Sequence, residues 1–105
     1  MWIEVFKTGT HTSGNGIVKS YTEEDLETIA SLYNGQKDHE APLVIGHPAV
    51  DAPAYGWVKS LQRAGDTLMA FMDQVNEEVK DSVKSGAYKH VSIALYPGNL
   101  LRHVG

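Results

Sequence analysis

Ile3 and Val5 alternate with Glu4 in a stretch from Trp2 to Thr8 that is rich in aromatic and β-branched residues. This period-two pattern predicts a half-buried strand. The polar run Gly9 to Gly16 predicts a loop. Leu26, Ile29, Ala30 and Tyr33 then recur at helical spacing behind Thr22-Glu23-Glu24-Asp25, which resembles a capping box with aspartate in place of glutamate. A helix is expected over 23–33, stopped by Asn34-Gly35. Leu43-Val44-Ile45 predicts a short buried strand leading into Gly46-His47-Pro48, where the proline biases His47 toward an extended backbone. Tyr55 to Gln62 and Thr67 to Val75 predict a hairpin turning at Ala64-Gly65-Asp66, with Leu68, Ala70 and Met72 on one face. Asn76 is a candidate cap for a second helix that presents Val79 and Val83 to the core and ends at Gly86. His90 to Tyr96 predicts a strand, Pro97-Gly98 a turn, and Leu100 to Val104 a last extended run. If Pro97 and Gly98 are the two central residues of a tight turn, Tyr96 stands opposite Asn99 and Ser92 opposite His103. Such partners have Cβ atoms roughly 4.5 to 5.5 Å apart, and a one-residue slip would send His103 to the other face.

About six strands and two helices, joined mostly by tight turns, predict an α+β domain: mainly an antiparallel sheet or small β-barrel with two packed helices. No repeat, low-complexity tract or linker interrupts them. The 105 residues leave room for one domain with one modest core. With 42% hydrophobic and 21% charged residues the composition is that of a folded chain rather than a disordered one. Nine Lys and Arg against thirteen Asp and Glu give a net charge of −4, with no basic stripe, which argues against binding a nucleic-acid backbone. No apolar run approaches the roughly 18 to 20 residues that span a bilayer. Met1-Trp2-Ile3-Glu4 carries acid where a signal peptide carries base, so the expectation is a soluble chain with no membrane partner, not secreted by that route. The sequence stops at Gly105 within a plausible strand, and 1–105 is therefore expected to be an N-terminal piece of a longer polypeptide.

The absence of cysteine removes disulfides, thiolate metal sites and thiol nucleophiles together. Nucleophilic chemistry falls to Ser or Thr, assisted by one of five histidines. Val91, Ile93 and Leu95 form the apolar face of the penultimate strand, which turns His90, Ser92, Ala94 and Tyr96 the other way. A serine so placed is ordinarily no more than a solvated residue. His47 is more distinctive, because Gly46 and Pro48 fix its backbone at a strand end beside a loop, although a lone loop histidine is ordinarily structural. Ser92 is not in a G-x-S-x-G elbow and the parallel βαβ pattern is missing, which excludes an α/β-hydrolase. Gly9-x-x-x-x-Gly14 lacks the lysine that a phosphate-binding loop requires. No two of His11, His39, His47, His90 and His103 have the i, i+4 spacing of a zinc helix, so a metal-binding reading is the weakest of those considered. Glu77, Glu78 and Asp81 sit near the start of the second predicted helix, where they favour the helix dipole.

Glu40-Ala-Pro-Leu-Val-Ile-Gly-His47-Pro, Asp51-Ala-Pro-Ala-Tyr-Gly-Trp-Val58, Val91-Ser-Ile-Ala-Leu-Tyr-Pro97 and Leu101-Arg-His-Val-Gly105 closely resemble the Mu-type phage head-maturation protease, also called the Mu-like prophage I protein. The likeness spans nearly the whole chain. More remotely, a histidine near a strand end, a glycine-bearing strand at Gly56, a helix ending in Gly-Ala-Tyr and then Ser-Ile resemble the prohead proteases of tailed phages, a group similar in fold and catalysis to the herpesvirus assemblins. The resemblance implies an assemblin-like fold and a serine endopeptidase that trims scaffold and major capsid proteins inside the prohead, in the host bacterial cytoplasm. It implies Ser92 as nucleophile, His47 as general base and His103 as the third member, with no cofactor and no metal. A neutral His103 stabilises an imidazolium less than a carboxylate does, so a slow protease is expected. The resemblance leaves homo-oligomerisation open. The alternative is a non-catalytic capsid-assembly or scaffold docking module of the same fold, since fold alone does not decide function.

Overall fold

Thr22 opens the first helix as its side-chain pattern predicts. Its hydroxyl accepts from the Asp25 N–H at 3.2 Å, and its own N–H donates to the Asp25 carboxylate at 2.8 Å. The computed structural model describes residues 1–13, 16–44, 55–75, 77–84 and 93–105, with side chains in the second helix only as far as Asp81. Among the described residues the elements are β1 (Trp2–Lys7), β2 (Gly9–Thr12), β3 (Val18–Tyr21), α1 (Glu23–Asn34), β4 (Pro42–Leu43), β5 (Gly56–Ala64), β6 (Thr67–Asp73), α2 (Glu77–Lys84), β7 (Ile93–Leu95) and β8 (Leu101–Val104). The architecture is α+β.

Six strands form one mixed sheet in the order β1-β6-β5-β4-β8-β7. Every pairing in it is antiparallel except β4 with β8. Bulges between Glu4 and Phe6 and between Val58 and Ser60 break the register. Each inserted residue adds local twist, and the sheet curls into a half-barrel. Its inner face carries Ile3, Val5, Val58, Leu61, Leu68, Ala70, Met72, Leu101 and Val104, all buried. Leu26, Ile29, Ala30 and Tyr33 of α1 close over them, and Val79 of α2 joins the same core. Fully burying each of the larger side chains stabilises the fold by roughly 1.5–3 kcal/mol.

Two expectations need correction. The stretch Gly9 to Gly16 is not all loop, because Gly9–Thr12 pairs antiparallel with Val18–Tyr21 as a separate two-stranded ribbon. Its polar residues hid it: Thr10 bonds Ser20 side chain to side chain at 2.8 Å, and the ribbon attaches to the body through Phe6, which stacks on His11 at 4.3 Å and meets Tyr21 edge-on at 5.0 Å. The described strand count is therefore eight rather than six. Of the strand expected at Leu43-Val44-Ile45, the described part is Pro42–Leu43, with Val44 beyond its end and Ile45 outside the described residues. The Asn76 cap, the Gly86 stop and the start of the strand at His90 lie outside the described residues.

Candidate active site

Strand order decides which of the singled-out segments are neighbours. β8, which carries His103, is flanked by β4 on one side and β7 on the other. Val104 pairs with Leu43 of β4 and also with Ile93 of β7, so Leu43, Val104 and Ile93 form one row across three strands. With neighbouring strands 4.7–4.9 Å apart, the row spans about 10 Å. Because β4 runs parallel to β8 and β7 antiparallel, the C-terminal ends of β4 and β8 and the N-terminal end of β7 lie at the same end of the sheet. His47 follows Leu43 by four residues in sequence and Ser92 immediately precedes Ile93. His47 and Ser92 themselves lie outside the described residues, as does His90.

The turn between β7 and β8 differs from the expected two-residue form. Asn99 N–H donates to Tyr96 O at 3.0 Å and Tyr96 N–H to Leu100 O at 2.8 Å, so Tyr96 faces Leu100 across a three-residue loop. Gly98 (φ +91°) and Asn99 (φ +69°) are both left-handed. Proline followed by a left-handed glycine makes a turn whose hand does not suit a two-residue hairpin, and Asn99 supplies the extra residue that lets the strands close. A bulge at Arg102 then adds a second offset: Leu95 pairs with Leu101, but Ala94 pairs with His103. His103 thus stands opposite Ala94, not Ser92. One offset would have turned His103 into the core; two leave it on the Ala94 side, while Leu101 and Val104 both point inward. His103 is only 6% exposed.

The segment between α1 and β4 is held by side-chain hydrogen bonds that hydrophobic spacing does not reveal. Tyr33 donates its hydroxyl proton to Val58 O at 2.6 Å and accepts from the Ala41 N–H at 2.9 Å, tying the helix to β5 and to the residue before β4. Burial pushes the Tyr33 phenol above its ordinary value of 10.0, and the nearby Glu40 charge adds to the rise, against the Ala41 bond. Gln36 staples residues 36–39, donating to His39 O at 2.8 Å and accepting from the His39 N–H at 2.9 Å. The His39 ring donates from Nε2 to Arg102 O at 3.1 Å and meets Tyr96 edge-on at 5.4 Å. His39 thereby fastens this segment to the bulge of β8. His11 is likewise structural, its Nε2 donating to Lys7 O at 2.8 Å.

An open groove of about 460 Å³ lies beside this segment, lined by Lys37, Glu40, Trp57, Lys59 and Asp73 among others, and His103 is not part of it. Among the described residues no three His, Asp or Glu side chains gather as a metal site would require, and no described helix is long and apolar enough to cross a membrane. Comparison with protein-family models, with curated proteins and with solved structures finds no match to this chain.

Proposed function

We propose that the chain is the catalytic domain of a serine endopeptidase of the phage head-maturation kind, with an assemblin-like fold. Ser92 Oγ attacks a peptide carbonyl carbon while a ring nitrogen of His47 takes its proton. Collapse of the tetrahedral intermediate breaks the C–N bond, and His47 returns the proton to the departing amine. Water, deprotonated by the same imidazole, then releases the acyl group from Ser92. His103 holds the His47 tautomer and steadies the imidazolium. The substrates are scaffold and major capsid proteins, met inside the prohead in the host bacterial cytoplasm.

The observation that supports this reading is the row Leu43–Val104–Ile93. Segments from β4, β8 and β7, of which β4 is the one distant in sequence, meet on adjacent strands, and the chain leaving β4 and the chain entering β7 lie at one end of the sheet. A buried histidine on the middle strand suits an orienting role, since burial fixes its ring. The deciding experiment is labelling of the purified chain with a serine-directed phosphonate, followed by mapping of the modified residue. Modification of Ser92, abolished in His47→Ala, is expected. Absence of labelling in a chain that still binds scaffold protein would favour the docking module instead.

A further inference from the structure

Asn34 is the last residue of α1, and its carboxamide makes two bonds to a single residue of β5. Nδ2 donates to Leu61 O at 2.7 Å, and Oδ1 accepts from the Leu61 N–H at 2.9 Å. The side chain thus mimics a partner strand along the part of β5 where β4, paired only at Gly56 and Trp57, does not reach. An amide presents a donor and an acceptor at that spacing; a carboxylate presents acceptors only. Position 35 is tightly packed. A Cβ there would sit 3.1 Å from Ser31 O, the carbonyl that caps the helix by accepting the Gly35 N–H at 2.9 Å. The clamp thus places asparagine directly before glycine, the pair whose unhindered glycine nitrogen is best able to attack the asparagine side chain.

We propose that Asn34 is a deamidation site gated by the fold. In the reaction the Gly35 nitrogen, its proton taken by solvent base, bonds to Asn34 Cγ; the Cγ–Nδ2 bond breaks and ammonia leaves. Water then opens the resulting succinimide at one of its two carbonyls, giving aspartate or isoaspartate, so that one water enters for each ammonia lost. The native structure opposes every requirement of this step. The Gly35 N–H is bonded to Ser31 O, the Asn34 carboxamide is pinned at both ends, and the helical backbone holds the nitrogen away from Cγ. All three obstacles lift together when the last turn of α1 leaves β5, a local opening that need not unfold the domain. The product cannot restore the clamp, because a carboxylate offers Leu61 O no proton, and isoaspartate also lengthens the backbone at the helix end. The conversion is one-way.

This inference is independent of the proteolytic reading, and its test uses the intact chain. The protein is incubated at mildly alkaline pH, natively and in guanidinium, then digested. Peptides bearing Asn34-Gly35 and the chain's other Asn-Gly pair, Asn15-Gly16, are followed by the mass change of exchanging NH2 for OH and by isoaspartyl methyltransferase labelling. In guanidinium both pairs should convert at similar rates. Under native conditions Asn34 should convert at least ~10-fold more slowly than in guanidinium, tenfold corresponding to about 1.4 kcal/mol of opening free energy. Asn34 converting as fast in the native protein as in the denatured chain overturns the gate. Asn34 staying intact in guanidinium while Asn15 converts overturns the site.

Discussion

Tyr33 shows how one polar atom inside the core links distant backbone. Its hydroxyl serves Val58 O and the Ala41 N–H at once, so Tyr33→Phe strands a buried donor and a buried acceptor. The expected loss is about 1–3 kcal/mol, measured by urea unfolding at neutral pH. The same residue is expected to contribute to the loss of stability at alkaline pH. Its folded-state pKa lies above the unfolded value of 10.0, because burial disfavours the phenolate. The unfolded chain therefore ionises first as pH rises, and stability is full below 10.0 and declines as pH climbs through the folded value. Tyr33→Phe should flatten part of that decline; an alkaline limb as steep as the parent's would mean that Tyr33 does not contribute to it. At the neighbouring position, Asn34→Asp should cost a similar 1–3 kcal/mol, roughly, by setting a carboxylate against Leu61 O. Equal unfolding midpoints would show that the clamp adds nothing to stability.

At the scale of elements, what could be read in advance was local. The α1 cap and its stripe of Leu26, Ile29, Ala30 and Tyr33 lie within one turn or two of each other, so spacing alone revealed them. The β2–β3 ribbon was not legible, because β2 has no apolar residue and Val18 and Tyr21 of β3 fall on opposite faces, so alternation carries no signal there. Nor were the Tyr33 and Asn34 clamps, whose partners lie 25 and 27 residues away. The β7–β8 hairpin was legible as an element but not in register: its faces followed from Ile93 and Leu95, whereas its pairing turned on left-handed Asn99 and the Arg102 bulge. Of the site, His103 could be placed on a strand from the sequence, yet its partner Ala94 could not. The loop itself is testable. A Cβ at Gly98 meets nothing within 4 Å, so Gly98→Ala is opposed only by the left-handed backbone. A cost of about 1–2 kcal/mol is expected from thermal or urea unfolding, and a neutral or stabilising result would show that the turn changes type to suit the alanine.

For the whole molecule, the parallel β4–β8 pairing bears most directly on the proposed function. Had β4 met β8 antiparallel, the chain leaving Leu43 toward His47 would depart from the opposite end of β8 to the chain entering Ile93 from Ser92. The observed pairing brings the chain leaving β4 and the chain entering β7 to the same end of the sheet, and on the proposed reading these carry the base His47 and the nucleophile Ser92, 45 positions apart in sequence. On the proposed mechanism, Ser92→Ala and His47→Ala should each lower cleavage of a scaffold substrate by orders of magnitude, and the double variant should lose little more, because the two act as a unit. His103→Ala should reduce kcat by less, since a neutral partner contributes less than a carboxylate to holding the imidazolium. Parent activity should rise with pH through the ordinary histidine range, around 6.5, as the base must be neutral to accept the serine proton. That rise should persist in His103→Ala if His47 is the titrating base, and chelators should leave it unchanged. Activity that disappears with a chelator and returns with zinc would replace the serine mechanism with a metal-dependent one, and Ser92→Ala cleaving at the parent rate would remove Ser92 as the nucleophile.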